Sequence, residues 1–214
     1  MIKKRIANDK LTTEQEVENT VKAGLQLIPV VGGTLATLYF DKKQQRQFNR
    51  LSGFYKELSK ELKVFKKELS LDNQDKIKLT TLIEKINNKV EKEVLQEKIN
   101  CFKHYFKNIL IQPVKDDYDE KVFFLESLGS MSLLEIEILR FLDSKSDFMK
   151  IGTINKPGIE QYAIVGAIGR LRNLGFLQSV TGGMSFGDMS DNYLKEAVKV
   201  SSFGEKFIKF CLST

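Results

Sequence analysis

Apolar side chains recur every three or four residues through most of the first half of this chain. This spacing puts them on one face of an α-helix. The recurring residues include Val17, Val21, Leu25, Ile28, Leu51, Tyr55, Leu58, Leu62, Leu79, Leu82, Ile86 and Val90. Residues 1–114 are therefore predicted to form helices that bury one face against each other, as an antiparallel bundle or an elongated hairpin.

Prolines, glycines and one polar run divide this pattern into helices. Pro29 and the pair Gly32-Gly33 predict a tight turn after the first helix. The run "SLDNQD" predicts a second break, with Asp72 as the N-cap of the next helix. That helix is predicted to extend toward Pro113, which ends it.

The segment 23–40, "AGLQLIPVVGGTLATLYF", has no charged residue, although 29% of the chain is charged. Pro29 divides it into two arms, each too short to cross a bilayer. The favoured interpretation is a hairpin held inside a soluble bundle, and the alternative is a shallow membrane-seeking hairpin. In that alternative the inserting residues are Leu25, Leu27, Ile28, Pro29, Val30, Val31, Gly32, Gly33, Leu35, Leu38, Tyr39 and Phe40.

The second half of the chain mixes helix and strand signals. A connecting helix is predicted over 115–130 and ends at Gly129, and a helix follows with a capping box at Ser132 and Glu135. Pro157 is predicted to begin a longer helix that Gly175 ends.

Two β-prone runs, "FLQSV" and "EAVKVS", flank the glycine-rich turn "TGGMSFGDMSDN". A second capping box, Ser202 with Glu205, opens the final helix. Helix, helix, strand, wing, strand and helix is the order of a winged-helix domain, predicted here over 131–214. The predicted fold is therefore mainly α, a helical bundle followed by a winged helix with a short β-hairpin wing.

No pattern of catalytic or metal-binding residues is present in the sequence. Its one histidine, His104, lies in an apolar helical run, and its two cysteines, Cys101 and Cys211, are far apart. Neither a zinc spacing nor a phosphate-binding glycine loop occurs. We therefore expect a non-enzymatic protein with no catalytic residue, metal, cofactor or small-molecule substrate.

The cysteines and the first residues indicate a compartment. Two thiols in apolar helical patterns favour a reduced intracellular chain, while a disulfide between them stays open. The start "MIKKRIANDK" is basic and lacks the apolar region of a secretion signal. The expected location is the cytoplasm, with attachment to the inner face of the cell membrane as an option.

Charge argues against DNA recognition by the predicted winged helix. The whole chain has a net charge of +6, but residues 131–214 hold 10 Lys and Arg against 9 Asp and Glu, a net of +1. The first half of the predicted recognition helix, 159–165, has no cation. Because DNA affinity comes largely from neutralised phosphates, a DNA-reading role is disfavoured. In that alternative the contacts would come from Lys150, Lys156, Arg170 and Arg172.

Three runs, "MSLLEIEILRFL", "IGRLRNLGFL" and "VSSFGEKFIKFC", resemble bacterial abortive-infection alpha-type (Abi-alpha-like) proteins. Gly204, Phe207 and Cys211 match the G-x-x-F-x-x-x-C spacing of the closing helix in that family. The resemblance covers roughly the C-terminal half and implies a phage-defence or prophage-linked protein. Its motifs are structural, so it implies no catalytic residue.

The predicted function combines these points. The protein is expected to bind a protein partner through the winged helix in an antiviral, abortive-infection setting. In the membrane-seeking alternative, the hairpin 23–40 would be held against the bundle and released toward the membrane. The alternatives are a winged-helix transcriptional regulator that binds DNA and an adaptor that touches neither membrane nor DNA. Homo-oligomerisation is left open.

Overall fold

A computed structural model of the chain describes residues 45–64, 75–180 and 192–213. These residues form eight α-helices and one three-stranded antiparallel sheet, so the mainly helical prediction is confirmed at this level. The uncharged segment 23–40 and residues 181–191 of the predicted wing lie outside the described residues.

The described elements occur in the following order along the chain. The first four helices are α1 (Gln45–Val64), α2 (Lys76–Val90), α3 (Gln96–Ile111) and α4 (Tyr118–Ser130). Then come α5 (Leu133–Asp143), β1 (Met149–Lys150), a 3₁₀ turn (Ile151–Thr153) and α6 (Gln161–Asn173). The chain continues with β2 (Leu177–Val180), α7 (Asn192–Lys195), β3 (Ala197–Val200), α8 (Ser202–Phe207) and a π-helical turn (Ile208–Leu212).

The chain divides into two compact units, and the described residues of the first unit are 45–64, 75–94 and 109–116. Its described part pairs α1 with α2 along the predicted apolar stripes. Both stripes are buried: Leu51, Tyr55, Leu58 and Leu62 on α1, and Leu79, Leu82, Ile86 and Val90 on α2. The buried Tyr55 hydroxyl donates to Asn87 Oδ1 at 2.8 Å, so this core also satisfies its polar groups.

Two helix boundaries in this region differ from the prediction. Asp75, not Asp72, is the N-cap of α2, because its carboxylate accepts from the backbone N–H groups of Ile77 and Lys78. The run toward Pro113 is not one helix, since α2 ends at Val90 and α3 begins at Gln96.

The described residues of the second unit are 95–108, 117–180 and 192–213, and they have an aromatic core. The rings of Phe176 and Phe207 stack with centroids 4.2 Å apart. Phe124 meets Phe207 edge to face at 5.4 Å. Offset and edge-to-face pairs of this kind stabilise a core beyond the apolar area that they bury.

A small sheet lies in this second unit, with the strand order β1–β3–β2. Central strand β3 pairs antiparallel with both neighbours, with Met149 opposite Val198 and Leu177 opposite Val200. The predicted runs around the glycine-rich turn are thus strands β2 and β3. Strand β1 was not predicted, because two residues are too short to show an alternating pattern.

The caps in the second unit follow the prediction in part. The capping box of Ser132 and Glu135 is confirmed. Gly175 has φ of 76° and follows Leu174, the C-cap of α6, as predicted for a helix-ending glycine. The final helix is capped by Ser201, whose hydroxyl accepts from Gly204 N–H at 2.9 Å, so the prediction of Ser202 was wrong by one residue.

Two other helix ends were also predicted wrongly. Helix α6 begins at Gln161 rather than Pro157, since Gly158 takes φ of 78° and Glu160 supplies the cap. Helix α4 continues through Gly129 to Ser130.

Candidate functional site

The start of α6 is the part of the second unit that a winged helix would present to DNA. The Glu160 carboxylate accepts from Tyr162 N–H at 2.8 Å and caps the helix. Ile159 is 37% exposed and Tyr162 is 54% exposed. This end of the helix therefore offers apolar and aromatic surface, with a carboxylate where a phosphate contact would need a cation.

Arg170 lies near the other end of α6 and is tied to a buried carboxylate. Its Nε lies 3.1 Å from Glu135 Oε1, and its side chain also donates to the Ser130 carbonyl at 3.2 Å. The Glu135 side chain is only 1% exposed. Its second oxygen accepts from Ser132 N–H at 2.6 Å and from the Ser132 hydroxyl at 2.8 Å.

Glu135 Oε1 makes no hydrogen bond of good geometry within the described part of the chain. Arg170 lies at ion-pair distance from it but off the hydrogen-bonding direction. The charge attraction to Arg170 is what stabilises the buried Glu135 carboxylate, because without a cation nothing would offset the free-energy cost of its desolvation. Arg170 is therefore the counterion of Glu135 even though most of its own side chain is exposed.

Two further predicted cations are also paired. Lys156 Nζ contacts Glu137 Oε2, and Arg172 contacts Glu196 Oε1. Glu196 is nearly buried, with 10% of its side chain exposed. Lys150 lies exposed on β1 and is opposite Ala197 of β3. Three of the four predicted nucleic-acid contacts thus serve as counterions to carboxylates of the same unit.

A groove opens beside the Lys156–Glu137 ion pair and encloses about 310 Å³. Its apolar lining comes from three parts of the chain, namely α5, α6 and the segment after the 3₁₀ turn. The apolar side chains are Ile138, Phe141, Ile154 and Ile164. All but Phe141, which is 39% exposed, are buried.

The polar lining of the groove consists of Glu137, Lys156 and Asn155. The ion-paired side chains of Lys156 and Glu137 are 40% and 42% exposed. Lys145 Nζ lies 4.8 Å from the centroid of the Phe141 ring, a cation–π contact that holds the aromatic wall. The groove therefore combines an apolar floor with a neutralised polar edge. Sequence reasoning missed it, because no local pattern shows that α5 and the segment 154–156 meet.

Side chains of α3 and α5 hydrogen-bond to carbonyl groups of the π-helical turn Ile208–Leu212. The His104 ring nitrogen Nε2 lies 3.2 Å from the Lys209 carbonyl, and Asn108 donates to the Phe210 carbonyl at 2.9 Å. Arg140 donates to the Leu212 carbonyl at 2.8 Å. These contacts satisfy carbonyl groups at a helix end, which is a structural task.

The two cysteines are free and buried. Burial raises the pKa of the Cys101 thiol, while the nearby Arg140 guanidinium acts in the opposite direction. Burial raises the pKa of the Cys211 thiol well above its ordinary value, and the nearby Cys101 adds to the effect. Thiols in this state stay protonated and react slowly.

Neither a metal site nor a membrane-spanning helix is found along the described ranges. No cluster of three or more His, Cys, Asp or Glu side chains suited to a metal ion occurs there. Within the same ranges, no helix has both the length and the apolar character needed to span a bilayer. The predicted membrane hairpin at 23–40 lies outside the described residues.

The closing motif Gly204, Phe207 and Cys211 consists of packing residues. A Cβ added at Gly204 would lie 2.2 Å from the Phe176 carbonyl oxygen, so only glycine fits there. Phe207 stacks on Phe176, and Cys211 is fully buried.

No family model matches the chain, and no curated protein or solved structure was found to be similar to it.

Proposed function

We propose that residues 131–214 form a winged-helix domain that binds a protein partner and does not read DNA. The order of the elements α5, β1, α6, β2 and β3 along the chain supports the winged-helix fold, as does the antiparallel strand order β1–β3–β2 in the sheet. In such a domain α6 takes the place of the recognition helix.

The commitment of the cations to internal ion pairs is the observation that carries this proposal. Non-specific DNA affinity grows with the number of phosphates that Lys and Arg neutralise. Lys156, Arg170 and Arg172 are each already held by a carboxylate. A phosphate would have to compete with that carboxylate, and the carboxylate would then repel the phosphate.

The competition is most costly at Arg170. Drawing Arg170 toward a phosphate would leave the Glu135 carboxylate buried without its counterion. Leaving a buried polar or charged group unsatisfied costs about 1–3 kcal/mol or more. This penalty offsets much of what a single phosphate contact would supply.

The exposed surface near these pairs suits a protein instead. Ile159 and Phe141 are each more than a third exposed, and Tyr162 is over half exposed. Aromatic side chains of this kind are enriched at the centres of protein interfaces, where charged residues are depleted. The partner is therefore expected to contact α6 at its start and α5 at Phe141.

The biological setting is proposed from the sequence. The resemblance to abortive-infection alpha-type proteins supports a role in phage defence, with segment 23–40 as the element that would reach a membrane. Fractionating expressed protein between membrane and cytosol, with cell viability recorded alongside, tests this setting. Recovery in the cytosol alone with unchanged viability contradicts it.

A salt titration of DNA binding tests the statement that this domain does not read DNA. We expect fluorescence anisotropy with a short random duplex to show weak binding between about 50 and 200 mM salt. The logarithmic salt slope should be no steeper than about −2, which corresponds to about two phosphate contacts. Glu137→Gln releases only Lys156 from its ion pair. The slope should therefore steepen by about 1 at most, the value of one further phosphate contact. Tight binding by the unchanged protein, with a slope of about −5 or steeper, would overturn the proposal.

A further inference from the structure

We propose that the groove between α5, α6 and the segment 154–156 binds an extended peptide segment of a partner protein. One uncharged, bulky apolar side chain of that segment enters the groove, and its main chain hydrogen-bonds to Asn155. The inference rests on the proposed protein-binding function and adds the place where the partner attaches and its conformation.

The size of the groove favours a short segment over a second folded chain. Seven residues line it, and it encloses about 310 Å³. A stable interface between folded proteins takes about 20–30 residues on each side. A volume of this size, at the small end of ligand sites, instead suits one large side chain.

The charges of the groove select an uncharged occupant. Lys156 and Glu137 neutralise each other at its polar edge. An anionic occupant would be attracted by Lys156 and repelled by Glu137. A cationic occupant would be attracted by Glu137 and repelled by Lys156. The buried floor of Ile138, Ile154 and Ile164 offers no partner for a charge, which would have to be desolvated there.

The backbone beside the groove favours an extended peptide over a small molecule. Ile154 has extended angles, with φ of −86° and ψ of 106°. Lys156 precedes Pro157, which also favours an extended conformation. Along the described ranges no group hydrogen-bonds to the backbone N–H or C=O of Asn155, which is exposed.

One residue with both backbone groups available can exchange a pair of hydrogen bonds with a strand. Strand addition of this kind takes its affinity from the main chain and its specificity from a side-chain pocket. Asn155 lines the groove and so places the pocket and the backbone groups side by side. A small apolar molecule would use the pocket alone.

Nuclear magnetic resonance titration of the full chain with blocked tripeptides tests both parts. The first probe is acetyl-seryl-phenylalanyl-serine amide, expected to bind saturably with a dissociation constant of roughly 1 mM. It should shift the methyl signals of Ile138, Ile154 and Ile164 and the amide signal of Asn155. The same peptide with lysine at its centre should shift none of these. Equal binding of both peptides, or no binding of either, would overturn the inference.

Methylating the central amide nitrogen of the phenylalanine peptide removes its main-chain donor. We expect the methylated peptide to bind roughly 2- to 12-fold more weakly, the value of one hydrogen bond. Asn155→Pro removes the protein's donor and should weaken the parent peptide by a similar factor. Lys150→Ala changes an exposed residue outside the groove lining, so it should bind the parent peptide as the unchanged protein does.

The methylated peptide keeps the test decisive if Asn155→Pro disturbs the fold. Unchanged affinity of the methylated peptide would show that the pocket takes a side chain without strand pairing, which contradicts the inference. The result of the DNA titration does not depend on the result of the peptide titration, so the two proposals can fail separately. A chain that binds neither DNA nor the peptides loses the groove assignment alone, whereas steep DNA binding removes the protein-binding function itself.

Discussion

Replacing Arg170 separates a structural counterion from a DNA contact. Arg170→Ala removes a side chain that is 56% exposed and leaves the Glu135 carboxylate, 1% exposed, without its cation. Breaking a fully buried ion pair costs about 3–5 kcal/mol. Because water reaches much of Arg170, we expect a loss of about 1–3 kcal/mol in the free energy of unfolding.

Urea unfolding followed by circular dichroism measures this loss. With a slope near 2 kcal/mol per molar urea, the expected shift in midpoint is about 0.5–1.5 M. Lys150→Ala is the matched control, because Lys150 is an exposed cation on β1 and no ion pair to it lies within the described ranges. Its effect should stay within about 0.5 kcal/mol.

A double-mutant cycle with Glu135→Gln isolates the ion pair. Glutamine keeps an oxygen that can accept from Ser132 but has no charge for Arg170 to balance. Arg170→Ala should therefore cost less in the Glu135→Gln background, with a coupling free energy of about 0.5–3 kcal/mol. An Arg170→Ala variant as stable as the Lys150→Ala control, with no coupling to Glu135, would refute the counterion role.

Three further predictions follow from the core and from the uncharged segment. Gly204→Ala should destabilise the chain by about 1–3 kcal/mol or more in the same urea assay, since its Cβ would lie 2.2 Å from the Phe176 carbonyl oxygen; a loss below about 0.5 kcal/mol contradicts this packing. Cys101 and Cys211 should resist iodoacetamide in the folded chain and react on unfolding in urea. Because both pKa values are raised on folding, their contribution to stability should also fall as pH rises above the ordinary thiol range; equal labelling of folded and unfolded chain contradicts their burial. Val31→Asp should abolish leakage of liposomes by the purified chain without loss of helix content if 23–40 enters bilayers, and leakage equal to that of the unchanged protein contradicts membrane entry.

The features that could be predicted from the sequence are those set by neighbouring residues. The apolar stripe of α1 follows from the 3.6-residue helical period, and its members Leu51, Tyr55 and Leu58 are buried. The capping box of Ser132 and Glu135 spans three residues and forms as predicted. The cap of the final helix was misplaced to Ser202 because adjacent serines both satisfy a loose capping pattern.

The features that could not be predicted depend on residues far apart in the chain. Lys156 and Glu137 are separated by 19 positions, and Arg172 and Glu196 by 24. No local spacing rule connects such partners, because tertiary packing decides which charges meet. The sequence of 131–214 therefore predicts its net charge, but it does not show which Lys and Arg side chains are held in ion pairs and which could contact a phosphate.

The ion pairs also bear on the groove, and this links the two proposals. Lys156 with Glu137 joins the segment 154–156 to α5, and Arg170 with Glu135 joins α6 to the same helix. The three parts of the chain that line the groove are thus held together by the contacts that occupy the cations. A preformed site loses less conformational entropy on binding, so more of the contact energy appears as affinity. Carboxylates Glu135 and Glu137, two residues apart on α5, would then weaken nucleic-acid binding and strengthen peptide binding at once. If Glu137→Gln left the affinity for the phenylalanine tripeptide unchanged, the ion pair would have no part in organising the groove.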